Sequence, residues 1–447
     1  MSLTPPSSRR ERVALALVAI AVFCSRLPFI NNGFGRDPDA WRLIKSGRLL
    51  ATTGTYEPSR FPGYPIPEFA YAALSPAPRL WLLVVVLLST LATLLFAGIL
   101  KRVGCRDVVW GALAFAATPV IYINSTNTMD YMWALTFILG ALYFVMTPRP
   151  ITAGVFAGMA IACRATSVIM LLPLSVILLG KLRPDRQSVW NTMRMLTIAV
   201  ATTAVAYAPI VIKYGTEMFT FVDDGREIKD VLSLAGPGVW GPIGVFGVLA
   251  AVSLAAILLI ASKRTRGRVA ALGMRHVVAW IAAIILSFVM FLRLPGEAGY
   301  LVLVVPMLLL ILAPVIPRWV FAALCVVLAV SSFVDIRKAG VFPGPVLQNN
   351  YVRGVFFDDS HVILRSVDKL DEGDTIILSG WLTSQLVTLR LLTNLPDRAK
   401  SVTFARELDR AHTNSGNHVY IVPVAGLFPP GALKEWQGAG VRPLPIR

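Results

Sequence analysis

Residues 80–100, LWLLVVVLLSTLATLLFAGIL, form an apolar run without a single charged side chain. A helix needs roughly 20 such residues to cross the hydrocarbon core of a bilayer. The composition of the whole chain agrees, because 56% of its 447 residues are hydrophobic and only 15% are charged, whereas a soluble protein is about half apolar and a quarter charged. The sequence therefore predicts an integral membrane protein.

Similar runs recur along most of the chain. Hydropathy predicts about eleven spans, at about 13–30, 80–100, 107–123, 129–146, 151–163, 166–180, 194–213, 239–262, 276–292, 299–315 and 317–334. The run 151–180 is broken by Arg164, so that it is predicted as two short helices or one re-entrant unit.

Basic clusters lie between these runs, for example RRER at 9–12 and KRTRGR at 263–268. The positive-inside rule places such clusters on the cytoplasmic side. With the N-terminus inside and an odd number of spans, segment 31–79 and the C-terminal tail are predicted to lie outside. The clusters explain much of the net charge of +17, so nucleic-acid binding is not predicted. A bacterial inner membrane is the expected location.

The composition changes near Asp335, beyond which no spanning run occurs. The predicted fold is therefore mostly α: a polytopic transmembrane helical bundle of residues 1–334, followed by a small extracytoplasmic α/β domain of residues 335–447. Within this domain, we expect strands at Thr375–Leu378 and His418–Val422. A helix is predicted over Leu382–Leu392, and a second polar helix over Ala405–Ala411.

The segment 31–79 carries two acids, Asp37 and Asp39, directly after the first span. Pro38 suits the first position of a helix, and Gly54 suits its end. The helix between them is amphipathic, and we expect it to lie in the membrane interface. A carboxylate at a helix N-terminus is stabilised in its ionised form, as a catalytic base or a metal ligand requires. The alternative is a helix cap without chemistry.

The same segment resembles the GT-C class of membrane glycosyltransferases, which includes the protein O-mannosyltransferases and the lipid A aminoarabinose transferase. The resemblance starts with an Asp after the first span and an amphipathic helix, and it continues through Gly-x-Tyr and Ser-Arg-x-Pro-Gly-Tyr-Pro. The matching residues are Asp39, Gly54, Tyr56, Ser59, Arg60, Pro62, Gly63, Tyr64 and Pro65. Two further stretches are similar, GVFAGMAIACRATSVIMLLP at 154–173 and Gly299-Tyr300 leading to Pro306. At the latter, the class often has Arg-Tyr.

The resemblance implies an inverting transfer from a polyprenyl-phosphate sugar to a lipid, protein or glycan acceptor outside the membrane. It implies Asp39 as the base, with Asp37 beside it as the other catalytic candidate. It also implies a divalent metal, Mg²⁺ or Mn²⁺, in some members, for which Asp37 and Asp130 are the candidate ligands. Such a reaction requires that the acceptor hydroxyl be deprotonated and the phosphate charge be stabilised.

Four residues are candidates for binding the donor phosphate, since charges near the membrane interior are often functional. They are Arg60, Tyr64, Arg164 and Arg293. The alternatives are a loop anchor for Arg60, an interfacial aromatic for Tyr64 and a snorkelling side chain for Arg164. Asp130 can equally be a simple helix start. Glu297 lies beside Arg293 at the mouth of the same span and is a further candidate.

Three rival functions remain open from the sequence. A lipid-linked-glycan transporter predicts broken helices in repeated halves, and no symmetry between halves is evident. A polysaccharide polymerase or ligase shares the lipid-linked donor but does not require an acid in the first loop. A non-catalytic membrane scaffold predicts that both first-loop acids are dispensable.

Overall fold

The structure is a computed structural model. It describes residues 9–105, 107–147, 149–180, 184–219, 227–293, 295–370, 375–393, 402–406, 408, 418–424, 427–428, 436 and 441–445. Its α-helices, in chain order, are α1 (Arg9–Arg26), α2 (Pro38–Thr53), α3 (Pro65–Ala73), α4 (Arg79–Arg102), α5 (Val108–Ala117), α6 (Pro119–Asn124), α7 (Tyr131–Val145), α8 (Pro150–Cys163), α9 (Leu171–Leu179), α10 (Arg186–Tyr214), α11 (Ile228–Ser233), α12 (Pro242–Ala261), α13 (Lys263–Leu272), α14 (Met274–Arg293), α15 (Val304–Val315), α16 (Arg318–Phe333), α17 (Pro345–Val367) and α18 (Thr383–Thr393).

Every predicted span coincides with an apolar helical segment. Within the described residues, six segments are long and apolar enough to cross a membrane, namely Arg9–Phe29, Arg79–Arg102, Arg186–Met218, Pro242–Ala261, Met274–Arg293 and Ala298–Val315. The other predicted spans fall on shorter apolar helices of 10–17 residues. The protein is thus a multi-pass helical membrane protein, and the count of eleven crossings stays a prediction.

The bundle separates an inner set of helices from an outer set. The helices α7 and α15 are almost wholly buried, whereas α10, α12 and α14 expose large apolar side chains such as Val205 and Ile260. Exposed aliphatic faces of this kind suit contact with lipid. The helix α8 packs tightly on α10, because a Cβ atom at Gly154 or Gly158 would meet carbonyl oxygens of α10 at 2.5 and 2.6 Å. Small residues at such crossings are typical of membrane helix packing.

The helix predicted after the first span is α2, and it begins and ends at the predicted residues. Asp37 is the N-cap, Pro38 is the first helical residue, and Gly54 ends the helix in a left-handed conformation at φ +70°. Trp41 and Leu43 on its apolar face are buried in protein, and the position of the helix in the membrane interface stays a prediction. The helix packs against α3 on one side and α18 on the other.

The segment after α16 forms a hairpin and a parallel sheet. Its strands are β1 (Val334–Arg337), β2 (Gly340–Pro343), β3 (Thr375–Leu378), β4 (Val402–Ala405), β5 (His418–Ile421) and β6 (Arg442–Pro443). The strands β1 and β2 pair antiparallel, and the sheet has the order β4-β3-β5-β6 with all pairs parallel.

The sheet confirms both predicted strands and the helix between them, which is α18. Because successive strand residues point to opposite faces, Ile377 packs toward α17 and α18, while Ile376 and Leu378 pack on the other face. The second polar helix predicted over Ala405–Ala411 is wrong at its start, because Ala405 ends strand β4. Residues 407 and 409–411 lie outside the described residues.

Candidate active site

The first group of candidate residues lies at the N-terminus of α2. The Asp37 carboxylate caps the helix by accepting a hydrogen bond of 2.7 Å from the backbone N–H of Asp39. The Asp39 side chain, 24% exposed, accepts a hydrogen bond from Arg42 Nη1 at 3.0 Å and forms an ion pair with Arg60 Nε at 3.2 Å. Asp39 is therefore held by two cations while it stays open to solvent.

The pKa of Asp39 is raised above that of an ordinary aspartate, so the stabilisation of its ionised form that was expected at a helix N-terminus does not prevail. Burial is the main cause, the guanidinium of Arg60 opposes it, and the neighbouring charge of Asp37 raises it further. Arg42 also opposes the rise. A carboxylate whose pKa is moved upward toward neutrality is a better general base than one that stays strongly acidic.

Arg60 connects this group to a second, buried one. It lies in the loop between α2 and α3, and its Nη2 donates to Asp130 Oδ1 at 2.9 Å while its Nε contacts Asp39. Its guanidinium lies 4.0 Å over the ring of Tyr64. Its Nη1 atom is buried and has no hydrogen-bond partner among the described residues.

Asp130 and Arg164 form the centre of the buried group. Asp130, which precedes α7, is fully buried, and its Oδ2 accepts from Arg164 Nη1 at 2.5 Å. Arg164 follows α8, where the helix breaks, and its guanidinium lies 4.1 and 4.2 Å from the ring centres of Tyr131 and Tyr300. Arg60 and Arg164 thus share one buried carboxylate, and the second carboxylate partner of Arg60, Asp39, is partly exposed.

Gly299 stands where the GT-C class often has an Arg before the Tyr, and its surroundings explain why an Arg is absent here. A Cβ atom at this position would lie 2.5 Å from the ring of Tyr131, so an Arg side chain does not fit there. The cation beside Tyr300 comes instead from Arg164, on the opposite side of the site.

A third acid, Glu297, lies next to Asp37. The pKa of Glu297 is raised well above that of an ordinary glutamate, first by burial and then by the neighbouring charge of Asp37. Glu297 precedes the short 3-10 turn that carries Tyr300. The outer acids and the buried arginines therefore belong to one continuous site.

The carboxylates of the site decide where a divalent metal can fit. Asp130 does not fit, because both of its oxygens already accept from guanidinium groups. Asp37 and Glu297 fit as a pair of hard oxygen ligands of the kind that Mg²⁺ or Mn²⁺ uses together with substrate phosphate and water. In the part of the chain that the structure describes, no group of three or more His, Cys, Asp or Glu is placed to hold a metal.

An apolar cavity adjoins Arg164. It runs between α7, α14 and the turn that precedes α15, and Arg164, Tyr131 and Tyr300 line its polar end. Its apolar wall is formed by Leu135, Ile138, Ile169, Met290, Val302 and Leu303. The cavity thus presents a guanidinium at the end of an aliphatic wall.

The structure brings together most residues that the sequence singled out. Asp37, Asp39, Arg60, Tyr64, Asp130 and Arg164 all lie in the site. Arg293 does not join them: its side chain is exposed at the end of α14 and makes no ion pair with the described residues. Sequence reasoning missed Tyr131, Tyr300 as a partner of Arg164, and Glu68. For Glu68 the signal was a lone acid in the apolar stretch PIPEFAYAA.

Comparison with known proteins shows the fold. No protein-family profile matches the chain, and no curated protein matches it significantly. The structure is similar to ArnT from Cupriavidus metallidurans in the apo state, with a TM-score of 0.58 and 13% identity over 88% of this chain and 85% of that one. It is also similar to ArnT bound to undecaprenyl phosphate, with a TM-score of 0.56 and 13% identity over 89% and 90%. The predicted GT-C-like fold is thereby confirmed.

Proposed function

We propose that the chain is an inverting glycosyltransferase that takes a sugar from a polyprenyl-phosphate donor and transfers it to an acceptor hydroxyl at the outer face of the membrane. The observation that carries the proposal is the pair of arginines, Arg60 and Arg164, which share the fully buried carboxylate of Asp130, with Arg164 lining an apolar cavity. A buried donor without a partner, such as Nη1 of Arg60, is costly unless an anion or another acceptor compensates it. A lipid phosphate supplies both that anion and an aliphatic tail for the cavity.

In this mechanism the acidic and cationic groups have separate tasks. The acceptor oxygen attacks the anomeric carbon from the side of Asp39, and its proton passes to the Asp39 carboxylate. The bond between the anomeric carbon and the phosphate oxygen breaks on the opposite side, so that the configuration inverts. The departing polyprenyl phosphate keeps the electron pair, and Arg60 and Arg164 stabilise its charge. The N–H of Arg60 that lacks a partner is a donor available to a phosphate oxygen.

The similarity to ArnT bound to undecaprenyl phosphate supports a lipid-linked donor. The acceptor, whether lipid, protein or glycan, and the identity of the sugar are left open by this proposal. The basic clusters at 9–12 and 263–268 support a cytoplasmic N-terminus. Residues 335–447 are proposed as an extracytoplasmic domain in a bacterial inner membrane.

A divalent metal would be held by Asp37 and Glu297. Bound there, it would add positive charge near the departing phosphate. The residues of the chain supply the base and the two guanidinium groups in either case.

The proposal is tested by sugar transfer from radiolabelled polyprenyl-phosphate sugars with the purified full chain, with and without Mg²⁺ or Mn²⁺. Wild type is compared with Asp39→Asn and Asp37→Asn. Two quantities are measured: the labelled sugar released by hydrolysis and the labelled sugar transferred to acceptors in added membranes. We expect Asp39→Asn to lose about 10²–10⁴-fold in turnover, because its amide cannot accept the proton.

The outcomes distinguish the proposed mechanism from a different catalytic base and from a transporter. Loss in Asp39→Asn with a smaller loss in Asp37→Asn supports the assignment of the base. Loss in Asp37→Asn alone keeps the glycosyltransferase but moves the base by two residues. Full turnover in both variants contradicts the mechanism. Movement of the intact donor across vesicles without cleavage would identify a transporter instead.

A further inference from the structure

Glu68 is a buried acid that the proposed chemistry does not use. It lies in α3, and its side chain is 0% exposed. Burying a carboxylate is costly unless hydrogen bonds compensate for the lost water. The groups that donate to Glu68 therefore indicate what the burial achieves.

All the donors to Glu68 come from the loop that carries Arg60. The backbone N–H of Ser59 donates to Oε1 at 2.6 Å, and the backbone N–H of Tyr64 donates to Oε2 at 3.2 Å. The Tyr56 hydroxyl donates to the same Oε2. The two amides bracket Arg60 in sequence, so the loop is folded around a single carboxylate.

The remaining contacts hold the outside of the loop against α10. The Tyr207 hydroxyl donates to the carbonyl of Gly63 at 3.1 Å, and Lys213 Nζ donates to the carbonyl of Tyr56 at 2.9 Å. The turn itself is closed by the N–H of Gly63, which donates to the carbonyl of Arg60 at 2.8 Å. Glu68 thus holds the inside of the loop at one position on each side of Arg60, Ser59 and Tyr64.

The placement of Arg60 is demanding, because its guanidinium spans two carboxylates that belong to different helices. Its Nε is 3.2 Å from Asp39 and its Nη2 is 2.9 Å from Asp130. A shift of the loop by a fraction of a hydrogen-bond length would break one of these contacts. It would also displace the buried Nη1, which has no partner among the described residues.

We propose that Glu68 is a positioning residue for the donor phosphate, which fixes the loop 56–64 so that Arg60 points between Asp39 and Asp130. This role rests on the proposed function, because Arg60 is assigned there to the phosphate. Glu68 touches neither donor nor acceptor in this assignment. It acts through Arg60 alone, and that restriction makes the inference testable.

The experiment is a double-mutant cycle on undecaprenyl phosphate binding by the full chain in detergent. Glu68→Gln, Arg60→Gln and the double variant are compared with wild type. Glu57→Gln is the matched control, because Glu57 is an exposed acid of the same loop. When Arg60 is present, we expect Glu68→Gln to weaken binding of undecaprenyl phosphate roughly tenfold, as the loss of a charge-assisted contact does. In the Arg60→Gln background, we expect Glu68→Gln to have no further effect.

A second variant covers the case in which Glu68→Gln does not fold. Tyr56→Phe removes one of the donors to Glu68, and we expect a smaller loss, about threefold, which likewise vanishes in the Arg60→Gln background. An equal loss with and without Arg60, or no loss in either variant, would overturn the positioning role.

Backbone hydrogen exchange tests the positioning role of Glu68 without relying on the proposed function. Peptides that cover residues 56–65 are followed in wild type, Glu68→Gln and Glu57→Gln. Faster exchange in this loop for Glu68→Gln alone supports the positioning role even when wild type does not bind undecaprenyl phosphate, and in that case the proposed function fails instead. Unchanged exchange rejects the role of Glu68.

Discussion

The site has two halves that treat charge in opposite ways. At the N-terminus of α2, three carboxylates crowd together in partial contact with water, and Asp39 keeps 24% of its side chain exposed. At the ends of α7 and α8, two guanidinium groups share the fully buried Asp130 between tyrosine rings. The first half gathers carboxylates near the surface, and the second gathers guanidinium groups around a carboxylate that is fully buried.

This contrast suggests how one site handles a proton and a phosphate together. A base must exchange its proton with solvent after each turnover, so it benefits from exposure. A phosphate binder gains strength from burial, because electrostatic interactions are weaker in water than in a low-dielectric interior. Arg60 touches both halves and connects the two tasks.

Replacing Asp130 should produce the largest effect on stability. Asp130→Asn leaves the buried Arg164 without its counter-charge and removes one of the two carboxylates that contact Arg60, and breaking a buried pair typically costs about 3–5 kcal/mol. Asp39→Asn should cost less than about 1 kcal/mol, because its pairs are partly exposed. Unfolding in mixed detergent and SDS micelles measures both. Equal losses for the two variants would mean that the halves do not differ as described.

Replacing Arg164 should separate binding from chemistry. Arg164→Gln should weaken undecaprenyl phosphate binding about 10- to 100-fold, since a hydrogen bond to a charged group contributes about 1.5–3 kcal/mol. Arg164→Lys keeps the charge but loses the planar fork, so an intermediate affinity is expected. Arg42→Gln, on the acidic half, is the control and should stay within about threefold. Comparable losses at Arg42 and Arg164 would contradict the assignment of the phosphate to the buried half.

The smallest expected effect is a shift in the pH dependence of turnover. Activity requires ionised Asp39, so it should rise with pH through a pKa that burial has raised. Asp37→Asn removes a neighbouring negative charge, which lowers that pKa and moves the rise to lower pH. Arg42→Gln removes a positive charge, which raises the pKa and moves the rise to higher pH. Shifts of the same sign in the two variants, measured as pH–rate profiles, would show that Asp39 is not the titrating base.

Much of the fold could be predicted because lipid imposes a simple rule. Apolar runs such as 80–100 must form helices in which every backbone group is bonded internally, and every predicted span is helical. The ends of α2 followed equally from Pro38 and Gly54, which act locally. The strand at Val402–Ala405 was missed, because its pairing with β3 is a contact that no local pattern reveals.

The sequence predicted which residue types form the site, but it did not predict which of them contact each other. Acids and arginines near the membrane interior drew attention to Asp39, Asp130 and Arg164. The sequence could not show that Asp130 is occupied by two arginines, since Arg60 lies 70 residues away along the chain. Arg293 had the same signal as Arg164, and the structure instead leaves its side chain exposed at the end of α14.

The burial of Trp41 has a consequence for biosynthesis. Trp41 lies on the helix that carries Asp39, and it packs in one cluster with Ile377, Leu386 and Leu389. On α18, Thr388 also donates to the Trp41 carbonyl at 3.2 Å. A ribosome makes these partners more than 300 residues after Trp41, when most of the bundle has already left the translocon. The nascent chain can therefore insert its spans early, but the helix that carries Asp39 gains its contacts with α18 only after all the predicted spans have been made.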